Sequence, residues 1–454
     1  MIASILRALG EIKSDVARHL DGAQVTRLCR ELNHSWRCRK LDPAATVQAF
    51  LLQVLHGNTA CDHVPHLVGK TFSGEAYCAA RARLPLELFE RLLVAVCGAL
   101  ASCREEAARW CGHRVWLVDG SSCSMPDTAE LRRAFGQPDA QKLGCGFPVA
   151  HMLALFHAGS GMLQRVILAP LRTHDMSRVA QVHDALARDD VLLADRGFCS
   201  FAHLALLRQA GLHAVLRVHQ RLVVDFRIGR LHVPPRAKSK FFRGATGLPR
   251  SRWIRRQGRW DQLVEYFKPQ ARPEWLTSAA FAALPETLLV REVRYAVGRR
   301  GFRTRRVDLV TTLLDPERYP LEKLAQLYAA RWQVELNLRH LKQTLHLDVL
   351  RSKTEAGVRK EVLMTALVYN LVRLVMLAAA EAKQVPVERI SFIDALRWLT
   401  QPTDRGALKT LVVNPHRPNR YEPRVRKRRP KQYPLLTRPR AEWKKLIAAQ
   451  RLTP

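Results

Sequence analysis

The sequence predicts an α/β protein: a helical N-terminal region, then a sheet-forming core interrupted by a β-rich insertion, then a basic tail. Two patterns carry that prediction. Apolar residues recur at helical spacing up to about residue 112. Beyond it, short apolar runs alternate with helical stretches, and two of those runs end in aspartate. Charge is the third observation. The 454 residues include 74 Lys or Arg against 40 Asp or Glu, a formal net charge of +34, and 47% are apolar. The apolar share excludes a mainly disordered chain. The basic excess, mostly arginine, points to a polyanionic partner, with nucleic acid first and an anionic membrane surface second.

Residues 1–112 read as an N-terminal helical domain. Ile2, Ile5, Leu6, Leu9, Ile12 and Val16 follow helical spacing, and Asp42-Pro43 opens a second helix through Phe50, Leu51 and Leu55. Ser73 caps a further short helix carrying Tyr77, Arg81 and Arg83. The order is compatible with a DNA-reading helix-turn-helix and equally with an ordinary helical bundle. The first twenty residues place Arg7, Glu11 and Asp15 where a signal peptide needs an unbroken apolar core. The longest apolar stretch, Leu363 to Ala380, is interrupted by Asn370 and Arg373, which argues against a membrane span. A cytoplasmic protein is expected. The ten cysteines fall between Cys29 and Cys199 without a CxxC pair, as expected for buried thiols in a reducing compartment.

Residues 113–220 carry the first half of the core. RVWLVDG is a buried strand ending at Asp119. PVAHMLALFHAG and MLQRVILAPL form a hairpin through Gly159-Ser160-Gly161. A helical stretch from Ser177 to Ala187 leads to VLLADRGF, a strand ending at Asp195, and HAVLRVH is a fifth strand. Residues 221–306 are a basic, β-rich insertion with strand-like pieces LVVDFRIG, WDQLVEYF and LLVREVRYAV. Residues 307–395 resume the core with the strand VDLVTTLL and a long helix from Pro316 to Leu350. Residues 396–454 form a basic C-terminal region whose densest run is RVRKRRPK.

The long helix carries the most informative pattern. At 100° per residue, Tyr328, Arg331 and Lys342 lie within about 40° of Glu335 on one stripe. Val334, Leu338, Leu341 and Leu345 form a separate apolar stripe that should bury against the sheet. By itself this is a polar helix edge with ordinary ion pairs as readily as a site. Asp119 or Asp195 alone reads as a turn or cap residue. Two strand-end aspartates together with a helix glutamate supply hard oxygen ligands suited to Mg²⁺ or Mn²⁺. Two such ions can drive in-line phosphodiester displacement. The adjacent His174 and Asp175 could orient the second aspartate, although a satisfied loop histidine is the simpler reading.

These residues resemble a known family. Tyr328, Arg331, Glu335 and Lys342 match without a gap the Tyr-Arg-Glu-Lys signature of the IS-four-type DDE transposases of bacterial insertion sequences. Asp119 in VWLVDGSSCSMPDT and Asp195 in ADRGF match that family's two upstream aspartates. The resemblance spans about residues 110–375. It implies a ribonuclease-H-like catalytic core interrupted by the insertion before its glutamate helix. It implies a DNA transposase that nicks the inverted-repeat ends of its element and transfers the freed 3′-hydroxyls into target DNA. Catalysis would use two Mg²⁺ ions (Mn²⁺ possible), with Asp119 bridging both and Asp195 and Glu335 completing one site each. Tyr328, Arg331 and Lys342 would hold phosphates, and a homodimer would synapse the ends at the bacterial nucleoid.

Hairpin-forming relatives carry a tryptophan in the strand before the glutamate helix. Residues 303–310 have none, and Phe302 nearby reads as core. Trp332 is available for stacking, although a helix tryptophan is more often core. Trp253 and Trp260, set among Arg252, Arg255, Arg256 and Arg259, offer a second stacking and phosphate-gripping surface. Two other functions fit the same residues: a ribonuclease-H-like nuclease that cuts without joining, and a catalytically silent DNA-binding derivative.

Overall fold

The computed structural model describes residues 1–37, 39–101, 109–138, 145–233, 247–297, 306–401, 407–415 and 437–451. RVRKRRPK and Phe302 lie outside them. Nine strands form one sheet: β1 (Val115–Ser124), β2 (Val149–His157), β3 (Leu163–Pro170), β4 (Val191–Ala194), β5 (His213–Arg217), β6 (Arg252–Gly258), β7 (Asp261–Phe267), β8 (Thr287–Ala296) and β9 (Arg306–Thr311). Their order is β3-β2-β1-β4-β5-β9-β8-β7-β6. β1, β4 and β5 run parallel, while β2, β3 and the four strands beyond β5 are joined antiparallel. The strands of the basic segment therefore extend the central sheet, with β9 closing the join between β5 and β8.

Alternation along β1 divides the core into two layers. Val115 and Leu117 pack with the N-terminal helices and the Glu355–Lys383 helix. Trp116 and Val118 pack on the other face with the Phe201–Gln209 helix. The Glu355–Lys383 helix is long and apolar enough to cross a membrane, yet 83% of its most apolar window is buried inside the protein. Its interrupting polar residues explain why. Asn370 donates to the Leu163 carbonyl at 2.9 Å and accepts from the Leu163 N–H at 2.9 Å. Tyr369 donates to Gly161 O at 2.7 Å, and Arg373 Nε to Ser160 O at 2.9 Å. These bonds dock the β2–β3 turn. Gly161 has φ +69°, and a β-carbon there would collide with the Arg373 guanidinium.

Asp42 and Ser73 cap their helices as the sequence predicts, accepting from Ala45 N at 2.7 Å and Ala76 N at 3.1 Å. Arg81, on the helix read as a possible DNA reader, turns inward to Gln53 at 2.9 Å and packs over Phe50. Of the eight described cysteines, all unpaired, five are buried.

Four elements differ from the sequence reading. β1 does not end at Asp119: the apolar pattern stops there, but pairing with β2 continues to Ser124↔Val149. LVVDFRIG forms no strand, because Asp225 accepts from Arg227 N at 3.0 Å and its carbonyl accepts from Arg230 Nε at 2.7 Å, folding the segment on itself. The helical stretch 177–187 contracts to a 3-10 turn at Asp175–Ser177 and a helix at Val179–His183. The long helix begins at Leu321, after Pro320. It is interrupted at Arg331, resumes as Trp332–Arg339 and ends in a π-turn, His340–Thr344.

Two buried contacts brace the framework around the strand ends. Arg291 on β8 is fully buried, with Nε 2.8 Å from Asp261 Oδ1 and Nη1 2.8 Å from the Tyr319 carbonyl, which ties the outer strands to the loop entering the Leu321–Ala330 helix. On the opposite face, His203 Nδ1 donates to the Phe198 carbonyl at 2.7 Å, pinning the turn that follows β4. That bond leaves His203 Nε2 as an acceptor for His183 Nε2 at 3.1 Å, and the two rings stack.

Removing one partner of a buried ion pair strands the other charge, so Asp261→Ala is expected to cost about 3–5 kcal/mol in urea unfolding. The histidine pair is expected to contribute to acid sensitivity. Burial pushes His203 down to about 4 and, with His203 adding to it, His183 down to about 3. Folded-state values below the ordinary 6.5 mean that the stability of the neutral pair is present above about pH 6.5 and is lost as pH falls toward 4. His183→Phe should flatten the loss of unfolding free energy between about pH 7 and pH 5; an unchanged slope would assign the acid sensitivity elsewhere.

Candidate active site at the ends of β1 and β4

The parallel register pairs Leu117 with Leu193. Two residues beyond that pair each segment reaches an aspartate, Asp119 within β1 and Asp195 just after β4, and the two lie close enough for Asp195 to act on the Asp119 carboxyl. β4 stops at Ala194, one residue short of the sequence reading, and Asp195 caps the turn Arg196–Phe198 that follows, its Oδ1 accepting from Arg196 N at 2.6 Å. Asp119 Oδ1 accepts from Gly120 N at 2.8 Å. Burial pushes the Asp119 carboxyl up to about 6; Asp195 and Glu335 add to the rise, and the Gly120 N–H and Arg331 oppose it. Gly120 faces the other side of the sheet, where a β-carbon would lie 2.5 Å from Asp175 Oδ1. Asp175 in turn meets His151 Nε2 at 3.0 Å, and His174 caps its own turn by accepting from Met176 N.

Glu335 lies in the first turn of the Trp332–Arg339 helix, above the aspartates. Val334, Leu338, Leu341 and Leu345 are buried, as the apolar stripe predicts, and this sets Glu335 toward the strands. Arg331 joins the acids: Nη2 is 3.1 Å from Glu335 Oε1, and Nη1 is 4.0 Å from Asp119 Oδ2. Its side chain is only 11% exposed, and its guanidinium faces the rings of Tyr328 and Trp332 at 5.9 Å each. Burial raises the Tyr328 phenol, and its hydroxyl is buried without a hydrogen-bond partner. Lys342, carried by the π-turn, donates to Ser121 Oγ at 3.1 Å, two residues past Asp119 on the same face of β1.

A cavity of about 440 Å³ opens between these elements, lined by Asp119, Gly120, Glu335, Leu338, Arg339, Lys342, Gln343 and Asp348. Ser121, Arg339, Gln343 and Asp348 escaped the sequence reading. Arg339 follows Glu335 by one helical turn and was legible in principle. Asp348 carried no signal: it is brought in by the bridge at Ser124, whose N and Oγ donate to its carbonyl at 2.9 and 3.0 Å. Three carboxylates are the right donors for a hard divalent cation. Among the described residues, no three Asp, Glu, His or Cys side chains converge closely enough as placed to enclose an ion. Arg331 is the cation held between Glu335 and Asp119.

The stacking candidates separate. Trp332 is 47% exposed beside the site rather than in the core. Trp260 is exposed too, flanked by Arg259 and Arg294 at 5.5 and 5.7 Å. Arg255 and Arg256 are exposed on β6, the sheet edge, five strands from β4 and so roughly 24 Å away. The fold does not bring them to the carboxylates.

Comparison with known proteins identifies the family. Residues 110–371 match the family model described as a transposase DDE domain. The chain is 26% identical over 345 residues to the transposase InsG for insertion sequence element IS4 of Escherichia coli, an alignment covering 72% of this chain and 70% of that one. A 45-residue stretch is 47% identical to the transposase for insertion sequence element IS421 of Escherichia coli, covering 10% of this chain and 12% of the relative. Among solved structures, the piggyBac transposase synaptic complex with hairpin DNA aligns over 83% of this chain and 75% of that one, with 11% identity and a TM-score of 0.40. The chain belongs to the transposase DDE family, enzymes of DNA transposition.

Proposed function

We propose that Asp119, Asp195 and Glu335 are the catalytic carboxylates of this transposase and that they cleave DNA at the terminal inverted repeats of its element before joining the 3′-hydroxyl ends to target DNA. The observation that carries the reading is the approach of three acids from distant parts of the chain: Asp119 on β1, Asp195 just after the neighbouring parallel strand, and Glu335 sharing Arg331 with Asp119. Strands β1 to β5, three antiparallel followed by two parallel, support a ribonuclease-H-like core, with the four outer strands as its extension.

The residues divide the work by charge. Asp119, Asp195 and Glu335 would together hold the two Mg²⁺ or Mn²⁺ ions. When bound, such ions activate the attacking oxygen and stabilise the leaving one. Lys342, steadied by Ser121, and Arg331 are placed to hold phosphate oxygens, and the unpartnered Tyr328 hydroxyl is a further donor beside them. Exposed Trp332 can stack on a displaced base, which would serve a hairpin step. Arg255 and Arg256 would grip backbone further along the duplex. The N-terminal helices, residues 1–112, would recognise the element's ends, and a homodimer working at the nucleoid would hold both ends together.

The test uses a supercoiled donor plasmid carrying inverted repeats that bracket the reading frame. Asp119→Asn is expected to abolish Mg²⁺-dependent cleavage while leaving end binding nearly intact; cleavage at the wild-type rate would remove Asp119 from the site. Nicks without excision or joined product in the wild-type protein would leave only a nuclease. Binding should also weaken steeply as salt rises, because a chain of net charge +34 that contacts many phosphates releases their counterions. A flat dependence would assign the charge to another partner.

A further inference from the structure

Arg331 is placed where the carboxylates must do their work. Its guanidinium is within 3.1 Å of Glu335 and 4.0 Å of Asp119, and Asp195 also acts on its charge. One monovalent cation thus sits against two of the acids. The same carboxylate oxygens cannot serve a guanidinium and a divalent ion together. While Arg331 stays in place, Glu335 is turned to it and one Asp119 oxygen lies within ion-pair distance of it.

Two further features show that this placement is poised to change. Among the described residues, neither the buried Arg331 Nε nor the adjacent buried Tyr328 hydroxyl has a hydrogen-bond partner. An unsatisfied buried donor is unfavourable, and one phosphate group, with several acceptor oxygens, can satisfy both. The backbone at Arg331 is tightened: Arg331 N bonds to Tyr328 O at 3.1 Å, and Val334 N to Arg331 O at 3.0 Å. These three-residue bonds make a 3-10 step between two helices, a local joint where the side chain can redirect without unwinding either one.

We propose that Arg331 is an internal counter-cation that closes the carboxylate site to divalent metal until a DNA phosphate draws it away, so that DNA and metal bind cooperatively. The inference rests on the reading of Asp119, Asp195 and Glu335 as metal ligands. Phosphate captured by Arg331 frees Glu335 and Asp119 for the ion. By reciprocity, an ion bound there expels Arg331 toward the phosphate and tightens DNA binding. No strand-cutting centre is then assembled on the free protein.

The experiment measures Mn²⁺ affinity by electron paramagnetic resonance on the full chain, counting as site-bound only the part that Asp119→Asn removes. Wild-type protein alone should bind weakly. Adding a short random-sequence duplex at low salt, or substituting Arg331→Met, should each tighten binding about ten- to a hundredfold, the worth of one or two charge-assisted hydrogen bonds. The duplex should add little further to Arg331→Met. If wild-type protein without DNA binds as tightly as Arg331→Met, or DNA leaves its affinity unchanged, the counter-cation role is overturned while the metal centre stands. If no state shows Asp119-dependent Mn²⁺, the ligand assignment itself fails and the inference falls with it. Should Arg331→Met not fold, the wild-type comparison with and without duplex decides alone.

Discussion

Like charges repel, and the candidate site depends on holding three of them together. The parallel pairing of β1 with β4 makes this possible. Its hydrogen bonds, ending at Leu117 and Leu193, bring the segments carrying Asp119 and Asp195 together, and the Asp119 carboxyl is raised chiefly by burial, with Asp195 and Glu335 adding to it. The surrounding elements offset the cost by supplying positive charge or rigid support: Arg331 between the acids, Lys342 on Ser121, the Gly120 N–H on Asp119, and His203 bracing the turn after β4. The sheet supplies the positions; the helix pair after Pro320 supplies the cations and the third acid.

The same opposition operates at the scale of the whole chain. A surface with a large positive excess attracts a polyanion, yet the cavity at its centre is lined by acids as well as bases. An acidic pocket in a basic field is chemically consistent only if phosphate is attracted by the periphery and tolerated at the centre through intervening cations. Arg339 and Lys342 on the cavity wall, with Arg331 behind it, grade that transition.

Much of this was legible in the sequence because it is local. The strand runs, the caps at Asp42 and Ser73, and the helical stripe through Glu335 each depend on spacing within a few residues. The apolar stripe Val334–Leu338–Leu341–Leu345 is buried as its period required. What escaped was set by partners far along the chain. β1 continues past its apolar run because β2 pairs with the polar part too. LVVDFRIG has the composition of a strand, but the Asp225 side chain captures neighbouring backbone first. Trp332 reads as core by residue type, yet it stands beside the site because the stripe that buries its helix lies on another side. Asp348 enters the cavity through one backbone bridge that no spacing rule anticipates.

The pairing of β5 with β9 has a consequence for how the chain is made. β5 receives its second neighbour only after the whole basic segment has been synthesised, and the Glu355–Lys383 helix that seals one face comes later still. Until then the nascent polypeptide carries a central strand with an open edge and an uncovered apolar face, the state most prone to wrong association. Biogenesis of this protein is therefore back-loaded: ribosome stalling or early termination before the spine helix would yield a sticky fragment, and the full charge of the finished molecule would not protect it.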